Sequence, residues 1–131
     1  MIAQAVRARL VSLGVTTGGT TSGTAWVTVI GGLTDRINAP QLAIIDRAGL
    51  PPLTAHNETR PLRPGLQVLV RGLPDSYEAT ATKAAAVFEA LHRQPFGTLM
   101  AIEAVSSPAW LGFTEADNRP TWSLNFITYQ E

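Results

Sequence analysis

The chain is 131 residues long, 45% apolar and only 15% charged, and its ten Lys and Arg balance ten Asp and Glu. That length suits one domain with a conventional core, and the absence of cysteine excludes thiolate metal sites, thiol catalysis and a disulfide framework. A net charge of zero removes the basic excess on which nucleic-acid and anionic-membrane binding rest, and near-neutrality favours association, so a protein that lives in an assembly is expected.

Ile2, Val6, Leu10 and Leu13 recur at spacings of four, four and three, which predicts an amphipathic helix over 2–13 that stops at Gly14. Val15 to Thr24 is almost wholly Thr, Gly and Ser and reads as a loop. Trp26 to Ile30, β-branched and aromatic between glycine punctuation, predicts a strand, and Gln41 to Asp46 a second one after the Asn38-Ala39-Pro40 turn. Arg47 to Pro64 carries Pro51, Pro52, Pro61 and Pro64. Nothing there propagates a helix or a central ladder, so a long functional or interfacial loop is expected.

Leu66, Val68 and Val70 alternate with Gln67, Leu69 and Arg71, the pattern of a strand half-facing the core. Asp75 and Glu78 then resemble a capping box ahead of an alanine-rich run. Tyr77, Ala81, Ala84, Phe88 and Leu91 step by four, three, four and three, predicting a helix from Asp75 to about Gln94 with that stripe on the sheet. Thr98 to Ser106 and Thr121 to Tyr129 read as the last two strands, the latter alternating Trp122, Leu124 and Phe126 against Ser123, Asn125 and Ile127. Ser107 to Pro120 between them reads as a polar excursion. The order predicts an α+β fold: a mostly antiparallel sheet of about five strands with two helices on one face.

Chemistry is sparse. His56 and His92 lack a second His or a Cys at ligand spacing, so neither a metal site nor a cofactor is expected, and there is no Gly-x-Ser-x-Gly elbow for a hydrolase. The Gly18 to Gly23 run lacks the lysine of a phosphate loop and precedes a strand. Glu103 sits on a strand between Ala101 and Val105, where a buried carboxylate or an arginine-paired one are the two readings. Arg60, Arg63 and Arg71 form a patch more often solvated or interfacial than phosphate-binding. No apolar stretch approaches the length of a membrane span, and Arg7 and Arg9 interrupt any leader-like segment, so no membrane partner is expected.

Three segments taken together resemble a known family. Pro64-Gly65-Leu66-Gln67-Val68-Leu69-Val70-Arg71-Gly72, followed by Tyr77, Ala79 and the helix to Leu91, is similar to the central signature of phage tail terminator proteins, often described as minor capsid proteins. Ser107-Pro108-Ala109-Trp110-Leu111-Gly112-Phe113 with Asp117-Asn118-Arg119 is similar to that family's Pro-x-x-Leu-Gly-x-Asp-x-x-x-Arg segment, and leads into a last strand bearing Asn125-Phe126. The resemblance implies a non-enzymatic virion subunit, assembled in the host cytoplasm into a hexameric ring in the neck. The ring would cap the tail tube protein at its head-proximal end and join it to a head-completion or stopper protein, with non-specific proximity to DNA in its lumen. Arg47, Arg60, Arg63, Arg71, Glu103, Trp110, Asp117 and Arg119 are the expected interface residues. The alternatives are another head-tail connector component, or a small ligand-binding module whose sheet groove brings Ser123 and Asn125 beside Glu103.

Overall fold

The computed structural model describes residues 2–14, 26–33, 39–50, 63–93, 99–115 and 117–130. Its elements run α1 (Ile2–Ser12), β1 (Val27–Ile30), β2 (Gln41–Leu50), β3 (Arg63–Arg71), α2 (Tyr77–Leu91), β4 (Leu99–Ala104), β5 (Ala109–Phe113) and β6 (Pro120–Gln130). The fold is α+β, with the sheet order β1-β2-β3-β6-β4 and β5 also paired to β6. β6 is the axis: one edge meets β3 along Thr121 to Ile127, while the other is shared end to end by β5, beside Pro120 to Ser123, and β4, beside Phe126 to Gln130.

The sheet differs from the sequence expectation in two ways. The sheet has six strands rather than about five, and it is mixed, because β1 and β2 are parallel, Val27 opposite Gln41 and Ile30 opposite Ile44. Parallel neighbours ordinarily need a crossover of about a dozen residues or more, and the connection here runs only from Gly31 to Pro40, a spacing that in sequence signals an antiparallel pair. Gly31 opens it at φ +109°, a conformation ordinary side chains resist. The sixth strand is β5, which lies inside the predicted polar excursion. The predicted loop is also shorter at both ends, since β2 continues through Arg47 to Leu50 and β3 begins at Arg63; residues 51–62 lie outside the described residues, as does the Thr/Gly/Ser segment 15–24.

Both helices cover one face of the sheet. That face carries Leu42, Ile44, Leu66, Val68, Val70, Ile102, Leu124 and Phe126, and Ala3, Val6 and Leu10 of α1 and Ala84, Val87 and Leu91 of α2 close over it. In register, Leu42, Val70 and Trp122 line up across three strands, as do Ile44, Val68 and Leu124, so strand alternation alone delivers these side chains to one layer. α1 ends as the sequence predicts: Leu13 N–H bonds Arg9 O at 3.1 Å, Gly14 N–H bonds Val11 O at 3.0 Å, and Gly14 takes φ +73°. Leu13 itself is left exposed.

The inward stripe of α2 keeps Ala84 and Leu91 of the predicted one but is otherwise shifted. Thr80, Ala84, Val87 and Leu91 are buried, whereas Tyr77 is exposed, and Phe88 is only half-buried at the rim of the core. The cap also shifts. Ser76, not Asp75, precedes the helix; its hydroxyl donates to Leu73 O at 2.6 Å, and its carbonyl accepts from both Thr80 N–H at 3.1 Å and Thr80 Oγ1 at 2.7 Å. Thr80 therefore faces inward with its hydroxyl satisfied, against the end of β3. There Gly72 is required for space, because a Cβ at that position would run into Thr80 Oγ1.

Candidate functional site

The residues singled out in the sequence separate into a buried tie and an exposed edge. The tie is centred on Arg119, at the entrance to β6 and only 3% exposed. Its Nε donates to Gly72 O at 2.8 Å and its terminal nitrogen to Ala39 O at 2.7 Å. One planar guanidinium thus joins the start of β2, the end of β3 and the start of β6, a use that exploits Arg's fixed fork of donors. Arg119 N–H is in turn held by Thr114 Oγ1 at 3.0 Å, and the Thr114 hydroxyl donates to the exposed Asp117 carboxylate. Asn118 and Asp75 both adopt left-handed backbone, at φ 53° and 58°, which short polar side chains tolerate best. Asp75 N–H bonds Asn118 O at 3.1 Å, and Asn118 Nδ2 donates to Asp75 Oδ1. The Asp117-Asn118-Arg119 segment and Gly72 therefore meet in space, and the tie fixes the β5–β6 turn to the entry of α2.

The edge is formed by β5. Trp110, predicted from sequence as an interface residue, packs edge-on to Tyr77 at 4.9 Å and to Phe113 at 5.2 Å, and lies 5.3 Å from the Trp122 ring. Despite these contacts Trp110 is 39% exposed, and Leu111, Phe113 and Tyr77 are exposed to 58%, 45% and 44%. Large apolar side chains gathered at a strand edge mark an interaction site on a soluble protein. A register shift between Trp110 and Gly112 and the φ of +100° at Gly112 make the bulge that turns Leu111 outward.

The remaining predicted residues are dispersed. Arg47 is exposed, and its guanidinium donates to Gln67 Oε1, with Nε at 2.9 Å. Gln67 Nε2 donates to Ser123 Oγ at 2.9 Å, and Asn125 Nδ2 reaches the same hydroxyl at 3.2 Å. This polar row crosses the sheet face opposite the helices and engages Ser123 and Asn125, two of the three groups the ligand-module reading relied on. Glu103 is exposed, so it is not a buried carboxylate. Arg71 is half-buried at the end of β3; Arg63 opens β3, and Arg60 lies outside the described residues. His92 Nδ1 accepts from Ala104 N–H at 3.1 Å, so this histidine serves the fold. Among the described residues no three His, Asp or Glu side chains are grouped to hold a metal, and no helix is long and apolar enough to cross a membrane.

The model of one protein family, described as bacteriophage tail terminator protein, matches residues 12–131. The chain belongs to the bacteriophage tail terminator family. The match extends well beyond the segments whose resemblance is visible by eye, and it makes this chain a structural protein of the virion tail, in a family that is not enzymatic. A solved structure described as the virion of a native gene transfer agent particle shares its fold: TM-score 0.59 over 99% of this chain and 94% of that one, at 16% identity. No protein with a curated description matches the chain. Missed in the sequence were Tyr77, Leu111 and Phe113 as edge residues; an apolar triplet around Gly112 in a stretch read as polar was the available signal.

Proposed function

We propose that this tail terminator assembles into a hexameric ring at the head-proximal end of the tail tube, where it stops tube growth and presents a surface to the head-completion protein. The family match over residues 12–131 carries this reading, and the likeness to a chain of a virion particle accords with it. The structure supplies a physical reason for a subunit to seek neighbours: an exposed aromatic strand edge, on a chain of zero net charge that has little electrostatic repulsion to overcome. The subunit would be made and assembled in the host cytoplasm and would reside in the virion neck, with DNA passing through the ring lumen without sequence-specific contact. Each subunit junction is expected to bury more than about 1,000 Å².

Particles assembled without this chain test the reading. Tails of unregulated length and tail-less heads are the expected products in electron micrographs; normal tails joined to heads would refute it.

A further inference from the structure

We infer that the aromatic edge of β5 is seated, in the assembled ring, on the outer face of α1 of the next copy of this chain; this rests on the ring proposed above. The sheet order puts β1 and β2, which lie under α1, at one edge and β5 at the other. The two surfaces therefore lie toward opposite ends of the sheet, and a head-to-tail contact between unlike surfaces closes into a ring when the rotation permits.

The surfaces match in shape and charge. β5 offers projecting apolar side chains, Trp110, Leu111 and Phe113, and is bordered by the exposed acids Asp75, Glu78, Glu115 and Asp117. The outer face of α1 offers an open concavity of about 570 Å³ lined, among the described residues, by Gln4, Arg7, Ala8, Val11 and Ser12, and the helix has no acidic residue. Val11 stands exposed on it, and Leu13 just beyond the end of the helix. The acids beside β5 and Arg7 on the outer face of α1 are of opposite sign, and complementary charge fixes partner choice and register.

The other strand sharing β6's edge is closed to a neighbour. Ile102 O accepts from Arg93 N–H at 2.7 Å, and Ala104 N–H is taken by His92 Nδ1 at 3.1 Å, so the turn after α2 covers the outer side of β4. Covering an edge in this way blocks strand addition; β5 bears the exposed apolar side chains instead.

Leu111→Asp and Val11→Asp alter exposed side chains, so both should melt like the wild type. Sedimentation or light scattering over a concentration series should give a wild-type mass more than twice the 14.0 kDa subunit, and monomers for either variant. Mixing the variants should give dimers and nothing larger, because one intact junction remains between Val11 of one copy and Leu111 of the other. A wild type that stays monomeric, a variant that keeps the wild-type mass, or a mixture that stays monomeric overturns the inference. Folding-independent confirmation comes from the cysteine-free background: Val11→Cys mixed with Leu111→Cys should crosslink on oxidation, and neither should crosslink alone. Crosslinking of either variant with itself would show a two-fold contact and overturn the pairing. If wild-type rings still cap tubes while Leu111→Asp also forms rings, the docking fails and the proposed function stands. Rings that depend on the α1–β5 contact but cap nothing would uphold the docking and refute the proposed function.

Discussion

Arg119 offers the sharpest separation of a structural from an interfacial role, through the substitution Arg119→Met. Methionine keeps much of the side chain's apolar volume but withdraws the donors that meet Gly72 O and Ala39 O at 2.8 and 2.7 Å. The position is 3% exposed, so water cannot simply replace them. A hydrogen bond to a charged group contributes about 1.5–3 kcal/mol, and a buried carbonyl left unpaired costs about 1–3 kcal/mol. Removing the cost of burying the guanidinium offsets part of this, leaving a net loss of about 3–5 kcal/mol. For a domain of this size that lowers Tm by about 10–20 °C. Arg119→Lys should recover only part of the loss, because a single ammonium lacks the planar fork. Thermal or urea unfolding of the isolated subunit is the assay. If Arg119→Met melts with the wild type but fails to assemble, Arg119 acts at an interface and the tie contributes nothing to the fold.

In α2, Leu91→Ala should cost about 2–5 kcal/mol, through lost burial and a residual cavity; Phe88→Ala, at the half-buried rim against His92 and Phe126, should cost clearly less in the same denaturant titration, and an equal cost would mean the helix is rotated. Gly72→Ala should destabilise by about 1–3 kcal/mol through overpacking, with a double-mutant cycle showing that Thr80→Ala relieves part of it; additive effects would place the two residues out of contact. Burial holds the pKa of Lys83, whose ammonium lies 5.6 Å from the Trp26 ring centroid, below its ordinary 10.5. The unfolded chain then binds more protons between the lowered value and 10.5, so stability rises with pH across that window; relative to Lys83→Met, the wild type should gain stability there, and parallel pH profiles would contradict it.

Where alternation or a glycine stop controlled the structure, the sequence was readable: Leu66, Val68 and Val70 in β3, Trp122, Leu124 and Phe126 in β6, and Gly14 after α1. Reading failed where a local exception intervened. In α2 the alanines make several stripes nearly equivalent, and the inward-facing residue Thr80 is polar, its hydroxyl satisfied by Ser76 O. Asp75 has the residue type of a cap, but its left-handed backbone and bond to Asn118 take it out of that role. β5 was hidden because its bulge breaks alternation and its apolar side chains point to the surface. Arg119 was visible as a motif residue, yet a sequence does not reveal whether a guanidinium meets a neighbour or its own chain's carbonyls. The family was legible in the segments around Gly72 and Asp117-Asn118-Arg119, which are distant in sequence and which the tie joins in space.

Imaging the purified chain with purified tail tubes tests the central claim most directly. Averaged electron micrographs should show a six-fold ring on one end of each tube, with elongation arrested at that end when tube subunits are added. Tubes that remain bare, or that elongate equally at both ends in the presence of this chain, would contradict its role as a terminator.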